Sequence, residues 1–170
     1  HYYNRIGVNV HRGVYRLSYE ATDLYEGARE TIAEFINASF EEVVFTRGCS
    51  ASLNLIALSY GMEFVDAGDE IIVTDPSYAN YMAFAISCGA VVKSVKTDIE
   101  NGFRLPSVEE FEKQITDKTR AILICNPNNP TGYLYSKKEM MQIRDLVQKY
   151  NLYLFSDEVY REFIYTKRPY

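Results

Sequence analysis

Short apolar segments alternate with helical patterns along most of this 170-residue chain. The clearest segment is 121–125, Ala-Ile-Leu-Ile-Cys, which is apolar on both faces, as parallel strands buried between helices are. Further strands are predicted at 43–46, 71–74, 91–95 and 152–156. Because helices separate these strands, right-handed crossovers should connect parallel neighbours. The pattern therefore predicts an α/β fold of three layers, in which helices cover both faces of a mostly parallel sheet.

The helices are predicted from apolar residues that recur at three- and four-residue steps. Two helix starts carry a capping-box pattern, Ser107 with Glu110 and Ser136 with Glu139. The predicted helices are 21–36, 53–60, about 78–88, a short one after Ser107, and an amphipathic one that ends near Tyr150. All these elements are assigned to one domain over residues 1–170.

Composition and charge exclude several classes of function. A net charge of −5 gives no reason to expect nucleic acid or an anionic membrane as partner. No apolar run approaches the roughly 20 residues of a transmembrane helix, and the polar first four residues are not a signal peptide. Cys49, Cys88 and Cys125 lack metal-ligand spacing, so no metal site is predicted and a reducing, cytoplasmic setting is the simplest interpretation.

Ligands of open α/β sheets bind at the carboxyl ends of the strands, where three unusual segments of this chain are predicted. The first is Gly48-Cys49-Ser50, at the start of a helix. Small residues there let backbone N–H groups approach an anion, and Ser50 adds a hydroxyl donor. An ordinary tight turn capped by serine explains the same residues, and taken alone the segment favours that turn.

The second segment is 126–132, Asn-Pro-Asn-Asn-Pro-Thr-Gly, a rigid turn that would hold the amide of Asn129 against a ligand oxygen. Turn chemistry explains the prolines and the glycine, but not three asparagines together. The third segment contains Asp157 and Tyr160, after the strand 152–156. A carboxylate at the end of a buried strand needs a cationic or hydrogen-bonding partner such as a protonated pyridine nitrogen, unless Asp157 caps a helix.

From about residue 69 to residue 165 the chain resembles the class I/II aminotransferases, which are fold-type I enzymes dependent on pyridoxal 5′-phosphate (PLP). The resemblance is carried by Thr-Asp-Pro-Ser-Tyr at 74–78, by the asparagine-rich turn at 126–132 and by Ser-Asp-Glu-Val-Tyr at 156–160. It implies a partial PLP-binding large domain. It also implies amino acids and 2-oxo acids as substrates.

The resemblance also assigns a role to each candidate residue. Asp157 would pair with the pyridine nitrogen and keep it protonated, while Tyr78 would stack on the ring. Asn129 and Tyr160 would donate to the phenolic oxygen. The turn formed by Gly48, Cys49 and Ser50 would take the phosphate.

The first 70 residues resemble a second branch of the same fold, the cysteine desulfurases. The segments that carry this resemblance are 9–14, 25–29, 35–38 and 45–48. Desulfurases usually place a histidine where this chain has Tyr78. Because the resemblance changes branch near 61–72, we hypothesise a chimera of two PLP-enzyme segments or a designed sequence, with a natural divergent protein as the alternative.

Both families use a lysine beyond the aspartate motif, which binds PLP covalently and later moves a proton. No lysine of this chain stands in such a motif, and the last, Lys167, is only ten residues after Asp157. The small C-terminal domain, the arginine for the substrate carboxylate and the desulfurase nucleophilic cysteine are also absent from the sequence. The resemblance therefore implies noncovalent PLP binding at best, and weak or no activity in this chain.

Strand order gives one more expectation. In the family two later strands lie between the first strand and the fourth, so residues 43–46 would lack their usual neighbours. We therefore expect a homo-oligomer, a strand-swapped dimer or an altered strand order. The alternatives to an aminotransferase-type domain are a cysteine desulfurase fragment and a designed or chimeric structural α/β domain without catalytic activity.

Overall fold

The computed structural model of the protein describes residues 10, 11 and 15–165. The chain divides into two compact units, His1–Arg47 and Gly48–Tyr170, which are described separately. The division falls between Arg47 and Gly48, whereas the resemblance changes branch at 61–72. Residues 9 and 12–14 of the N-terminal motif, and Lys167, lie outside the described residues.

The first unit is built on one long helix, α1 (Arg16–Ile36), which confirms the helix predicted there. It buries Ser18, Ala21 and Ala33, whose spacing places small side chains on one face. The helix ends at Asn37, which takes a left-handed conformation with φ 55° and lets its backbone N–H bond back to the last turn. A short 3₁₀ turn, Phe40–Glu42, follows.

The strand predicted at 43–46 is wrong, because these residues form no strand in the structure. Arg29 of α1 bonds to the start of this segment instead. Its guanidinium donates to the carbonyl of Val43 and to the carbonyl of Phe40, each at 3.0 Å, and lies over the Phe40 ring at 3.9 Å. A side chain of α1 therefore takes a carbonyl that a neighbouring strand would otherwise need.

The second unit alternates helices and strands as predicted. It begins with helix α2 (Cys49–Ile56), which continues through a π-helical segment (Ala57–Gly61) into α3 (Met62–Phe64). The remaining elements are β1 (Glu70–Asp75), α4 (Asn80–Ser87), β2 (Val91–Lys96), the 3₁₀ turn Ile99–Asn101, α5 (Val108–Glu112), β3 (Thr119–Cys125), α6 (Lys137–Tyr150) and β4 (Tyr153–Asp157).

The four strands form one parallel sheet in the order β2-β1-β3-β4. Alternate side chains of each strand point to opposite faces. On one face Ile72, Ile122 and Ile124 pack with residues of α5 and α6 in a fully buried core. On the other face Val73, Leu123 and Phe155 line an apolar cavity of about 60 Å³ together with residues of α2 and α4. The three-layer α/β fold is thereby confirmed.

The two predicted capping boxes have different outcomes. At α6 the box forms, because Ser136 accepts from the Glu139 amide and the Glu139 carboxylate accepts from the Ser136 amide at 2.7 Å. At α5 the helix begins after Ser107 as predicted, but no box forms. The Glu110 carboxylate pairs instead with Lys113, one turn further along the helix.

Within residues 15–165, no helix combines the length and the apolar character that crossing a membrane requires.

Replacing Ile122 by alanine should lower the free energy of unfolding by about 2–5 kcal/mol, because it leaves a cavity in the middle of the sheet. Ile122 is 0% exposed and belongs to the core beneath α6. Urea unfolding followed by circular dichroism measures the change. The matched control is Ile86→Ala, at a helix position 64% exposed, which should change stability by less than about 0.5 kcal/mol. Equal effects of the two substitutions would contradict the core assignment.

Candidate functional site

The carboxyl ends of β3 and β4 form the candidate site. Cys125 and Asp157 are register partners at these ends, and the Asn126 amide donates to the Asp157 carbonyl at 2.9 Å. Tyr153 and Phe155 line the cavity beneath α2, so alternation along β4 directs Asp157 to the same face. The start of α2 and the first turn of α4 lie there.

Asp157 is half-buried and receives three hydrogen bonds. The hydroxyl of Tyr81, from α4, donates to Oδ2 at 2.7 Å, and the thiol of Cys49, from α2, donates to the same oxygen at 3.1 Å. The backbone amide of Val159 donates to Oδ1 at 3.2 Å. Within the described residues no lysine, arginine or histidine pairs with Asp157, so its charge is met by neutral donors alone.

The Asp157 carboxylate holds both donors in their protonated forms. Burial, and then the bond to Asp157, raise the pKa of the Cys49 thiol to about 11. The same two causes raise the pKa of the Tyr81 hydroxyl above its ordinary value. At neutral pH the two groups therefore remain donors to Asp157, and the Cys49 thiol is a poor nucleophile.

Tyr81 is a site residue that the sequence reasoning missed. It is 3% exposed, and burial keeps its ring fixed while its hydroxyl reaches Asp157. The signal for it lies in the spacing, because Tyr78 and Tyr81 stand three residues apart at the start of a predicted helix and therefore share a face. Their rings meet edge to face, with centroids 5.4 Å apart.

Gly48, Cys49 and Ser50 stand at the N-terminus of α2 as predicted. Gly48 is the N-cap residue, and its φ of 142° belongs to the region that favours glycine. No described atom lies within 4 Å of the place that a Cβ of Gly48 would occupy. The first amides of a helix have no intrahelical acceptor, so this turn presents N–H groups beside open space.

The three asparagine side chains of the turn after β3 differ in their hydrogen bonds. The Asn126 side chain accepts from the Tyr135 amide at 3.0 Å, and the Asn128 side chain accepts from the Thr131 hydroxyl at 2.8 Å. Both residues are buried. In the described part of the chain no hydrogen bond involves the side chain of Asn129. Two of the three asparagines therefore build the turn.

Tyr78 and Tyr160 have different neighbours and different exposure. Tyr78 is half-buried beside Tyr81, and its hydroxyl accepts from the Asn80 side chain at 2.7 Å. Tyr160 is 40% exposed and its ring packs against Phe163, with centroids 6.3 Å apart. Tyr78 is therefore connected to the site by its ring contact with Tyr81. The structure does not bring the Tyr160 ring into contact with Asp157.

Among residues 10, 11 and 15–165, no group of three or more histidine, cysteine, aspartate or glutamate side chains is arranged to hold a metal ion. The described lysines are also engaged or exposed elsewhere. Lys93 pairs with Glu70 at 2.8 Å, and Lys149 pairs with Glu112 at 2.7 Å. The other described lysines are exposed, and no described lysine bonds to Asp157, Tyr81 or Cys49.

Replacing Asp157 by asparagine should speed the alkylation of Cys49 by iodoacetamide about tenfold, because loss of the neighbouring charge lowers the pKa of the thiol and raises the thiolate fraction. Mass spectrometry of the modified peptide, at several pH values, measures the rate. Cys88 is the internal control, because its thiol donates to the Ala85 carbonyl and not to Asp157. An unchanged rate at Cys49, or an equal change at Cys88, would contradict the contact.

Two curated relatives are similar to this chain over most of its length. A probable cysteine desulfurase of Staphylococcus aureus is 43% identical over 136 residues, which are 77% of this chain and 32% of that protein. A probable cysteine desulfurase of Synechocystis is 38% identical over 148 residues, which are 84% of this chain and 34% of that protein. The chain thus spans about a third of the length of these relatives.

Solved aminotransferases share the fold. An aspartate aminotransferase from Thermotoga maritima is 36% identical, with a TM-score of 0.73 over 85% of this chain and 38% of that one. An aspartate aminotransferase from Thermus thermophilus is 32% identical, with a TM-score of 0.77 over the same shares of the two chains. The sequence profile named "Aminotransferase class I and II" matches residues 9–170. The chain belongs to the aminotransferase class I and II family.

Proposed function

We propose that this chain is the cofactor-holding part of a PLP-dependent enzyme that transfers amino groups between amino acids and 2-oxo acids. The observation that carries the proposal is Asp157, a half-buried carboxylate at the end of β4 that receives only neutral donors. Membership of the aminotransferase family supports it. Because the chain spans about a third of its curated relatives, the activity belongs to a complete protein of that kind.

The donors around Asp157 fit the ring nitrogen of PLP. Asp157 accepts three hydrogen bonds, all of them from neutral donors and one of them from a weak thiol donor. A protonated pyridine nitrogen would add the charge-assisted bond that the site lacks. Asp157 would then hold the ring nitrogen in its protonated state, and Tyr81 would hold Asp157 in place.

The start of α2 fits the phosphate. Gly48 has no side chain, and no described atom fills the space where one would begin, so a phosphate oxygen has room to approach the backbone. The N–H groups of the first turn and the positive end of the helix favour an anion there. The Ser50 hydroxyl is a further donor at the same turn.

The remaining candidate residues would hold the ring. Tyr78 packs edge to face with Tyr81, the residue whose hydroxyl bonds to Asp157, and its ring would stack on the cofactor. Asn129 would offer its side-chain amide from the turn that follows β3, whose last residue, Cys125, pairs with Asp157. Tyr160 would have to leave its packing against Phe163 to donate to the phenolic oxygen, and we infer that it does so when the cofactor is held.

PLP supplies an electron sink for the charge that develops at the substrate Cα. In this chain Asp157 would sustain that sink by keeping a proton on the ring nitrogen, while the start of α2 would hold the phosphate and Tyr78 would orient the ring. Since no described lysine bonds within the site, we infer that this chain holds the cofactor noncovalently. The lysine would come from the two thirds of such proteins that this chain does not match.

Replacing Asp157 by asparagine should weaken PLP binding about 10- to 100-fold, because a charge-assisted hydrogen bond is lost. Titration followed by the visible absorbance of PLP measures the dissociation constant. The matched control is Glu158→Gln, because this neighbouring carboxylate bonds to Ser156 and Arg161. Glu158→Gln should leave the affinity unchanged. An unmodified chain that fails to bind PLP, or equal losses in both variants, would reject the proposal.

A cysteine desulfurase is the second candidate, because the two curated relatives described above carry that name. Two features of this chain favour the aminotransferase. It has Tyr78 where desulfurases usually have histidine, and burial holds the pKa of Cys49 and of Cys125 above the ordinary thiol value. The chain with PLP should convert it slowly to pyridoxamine phosphate when amino acids are added. Formation of alanine from L-cysteine, with sulfide released when a thiol reductant is present and with PLP unchanged, would favour the desulfurase.

We also infer that the chain associates in solution and acts in the cytoplasm. Among the described strands β4 pairs with β3 alone, and Tyr153 at its start is 49% exposed, so one edge of β4 offers unpaired backbone groups. The three cysteines are free thiols, which suits a reducing compartment. Analytical ultracentrifugation should show a dimer or larger species. A sharp monomer would argue against association.

A further inference from the structure

The two oxygens of Asp157 face different parts of the second unit. Oδ1 accepts from the Val159 amide and so belongs to the turn that follows β4. Oδ2 accepts from Cys49 at the start of α2 and from Tyr81 in α4. A cofactor whose phosphate lay at the start of α2 would approach Asp157 from the side of Oδ2, the oxygen that faces α2.

Two donors already bond to Oδ2, and they are not equally easy to displace. Tyr81 is 3% exposed, and its hydroxyl bond of 2.7 Å is short. Cys49 is only half-buried, and its thiol is a weak donor at 3.1 Å. A protonated ring nitrogen is the stronger donor, because a charge-assisted hydrogen bond is about twice as strong as a neutral one.

We propose that the Cys49 thiol and the ring nitrogen of PLP compete for Oδ2 of Asp157, so that Cys49 must release Asp157 when the cofactor binds. This inference rests on the proposed function. Cys49 is a positioning residue in this scheme, since it acts on the cofactor through Asp157. The thiol keeps its proton at neutral pH and so remains able to compete.

Replacing Cys49 by alanine should tighten PLP binding about fivefold, because the cofactor no longer displaces a hydrogen bond worth about 1 kcal/mol. The dissociation constant comes from absorbance titration of the folded proteins, with folding checked by circular dichroism. The matched control is Cys88→Ala, which removes a thiol bonded to the Ala85 carbonyl and should leave the affinity unchanged. An unchanged or weaker affinity of Cys49→Ala would overturn the inference.

Two further measurements separate competition at Asp157 from a change in the phosphate turn. A PLP analogue in which C–H replaces the ring nitrogen cannot bond to Oδ2, so Cys49→Ala should leave its affinity unchanged. The infrared S–H stretching band of Cys49, identified by its loss in Cys49→Ala, should move toward the free-thiol position when PLP is added. Tighter binding of the analogue, or a band that PLP does not move, would overturn the inference.

The binding measurements distinguish failure of this inference from failure of the proposed function. If PLP binds and Asp157→Asn weakens it, but Cys49→Ala does not tighten it, the competition is wrong and the proposed function stands. If neither the unmodified chain nor Cys49→Ala binds PLP, both are overturned.

Discussion

The parallel register of β3 and β4 determines which of their residues meet at the candidate site. It pairs Cys125 with Asp157, so the asparagine-rich turn after β3 and the carboxylate at the end of β4 meet at one edge of the sheet. Side-chain alternation then chooses the face. A shift of one residue in β4 would turn Asp157 toward α5 and α6, away from Cys49 and Tyr81. The apolar pattern of β4 resists that shift because Leu154 packs against the core beneath α6.

In this geometry the half-buried carboxylate of Asp157 has no lysine, arginine or histidine partner among the described residues. Neutral hydrogen-bond donors surround it instead. Burying an unpaired charge is unfavourable, and the bonds from Tyr81, Cys49 and the Val159 amide offset part of this cost. Burial, and then the bond to this charge, raise the pKa of Tyr81 and of Cys49, so both donors keep their protons. A cationic ligand would gain from the same charge, which is why the absence of a basic partner among the described residues matters for binding.

The sequence predicted the helices and the four strands of the second unit because each depends on local periodicity and on burial between two layers. It was wrong at 43–46, where a β-branched and aromatic run indicates a strand but Arg29 bonds to the carbonyl of Val43. No local pattern reveals a contact across fourteen residues. At the site, the turn at Gly48 and the end of β4 could be placed from motif and topology. The contact of Cys49 with Asp157 could not, because it depends on how α2 packs over the sheet.

The curated relatives and the solved structures help to explain why this chain resembles two branches of one fold. An aligned stretch of 148 residues in a chain of 170 must include residues 61–72, and so must a fold match over 85% of the chain. Each branch therefore matches on both sides of the segment where the resemblance changes. Aminotransferases and cysteine desulfurases both depend on PLP, and residues that face the same ring and phosphate meet the same chemical demands in both. If this chain holds PLP as proposed, similarity to both branches over one stretch follows from that shared task, and it does not require two parent sequences joined at 61–72.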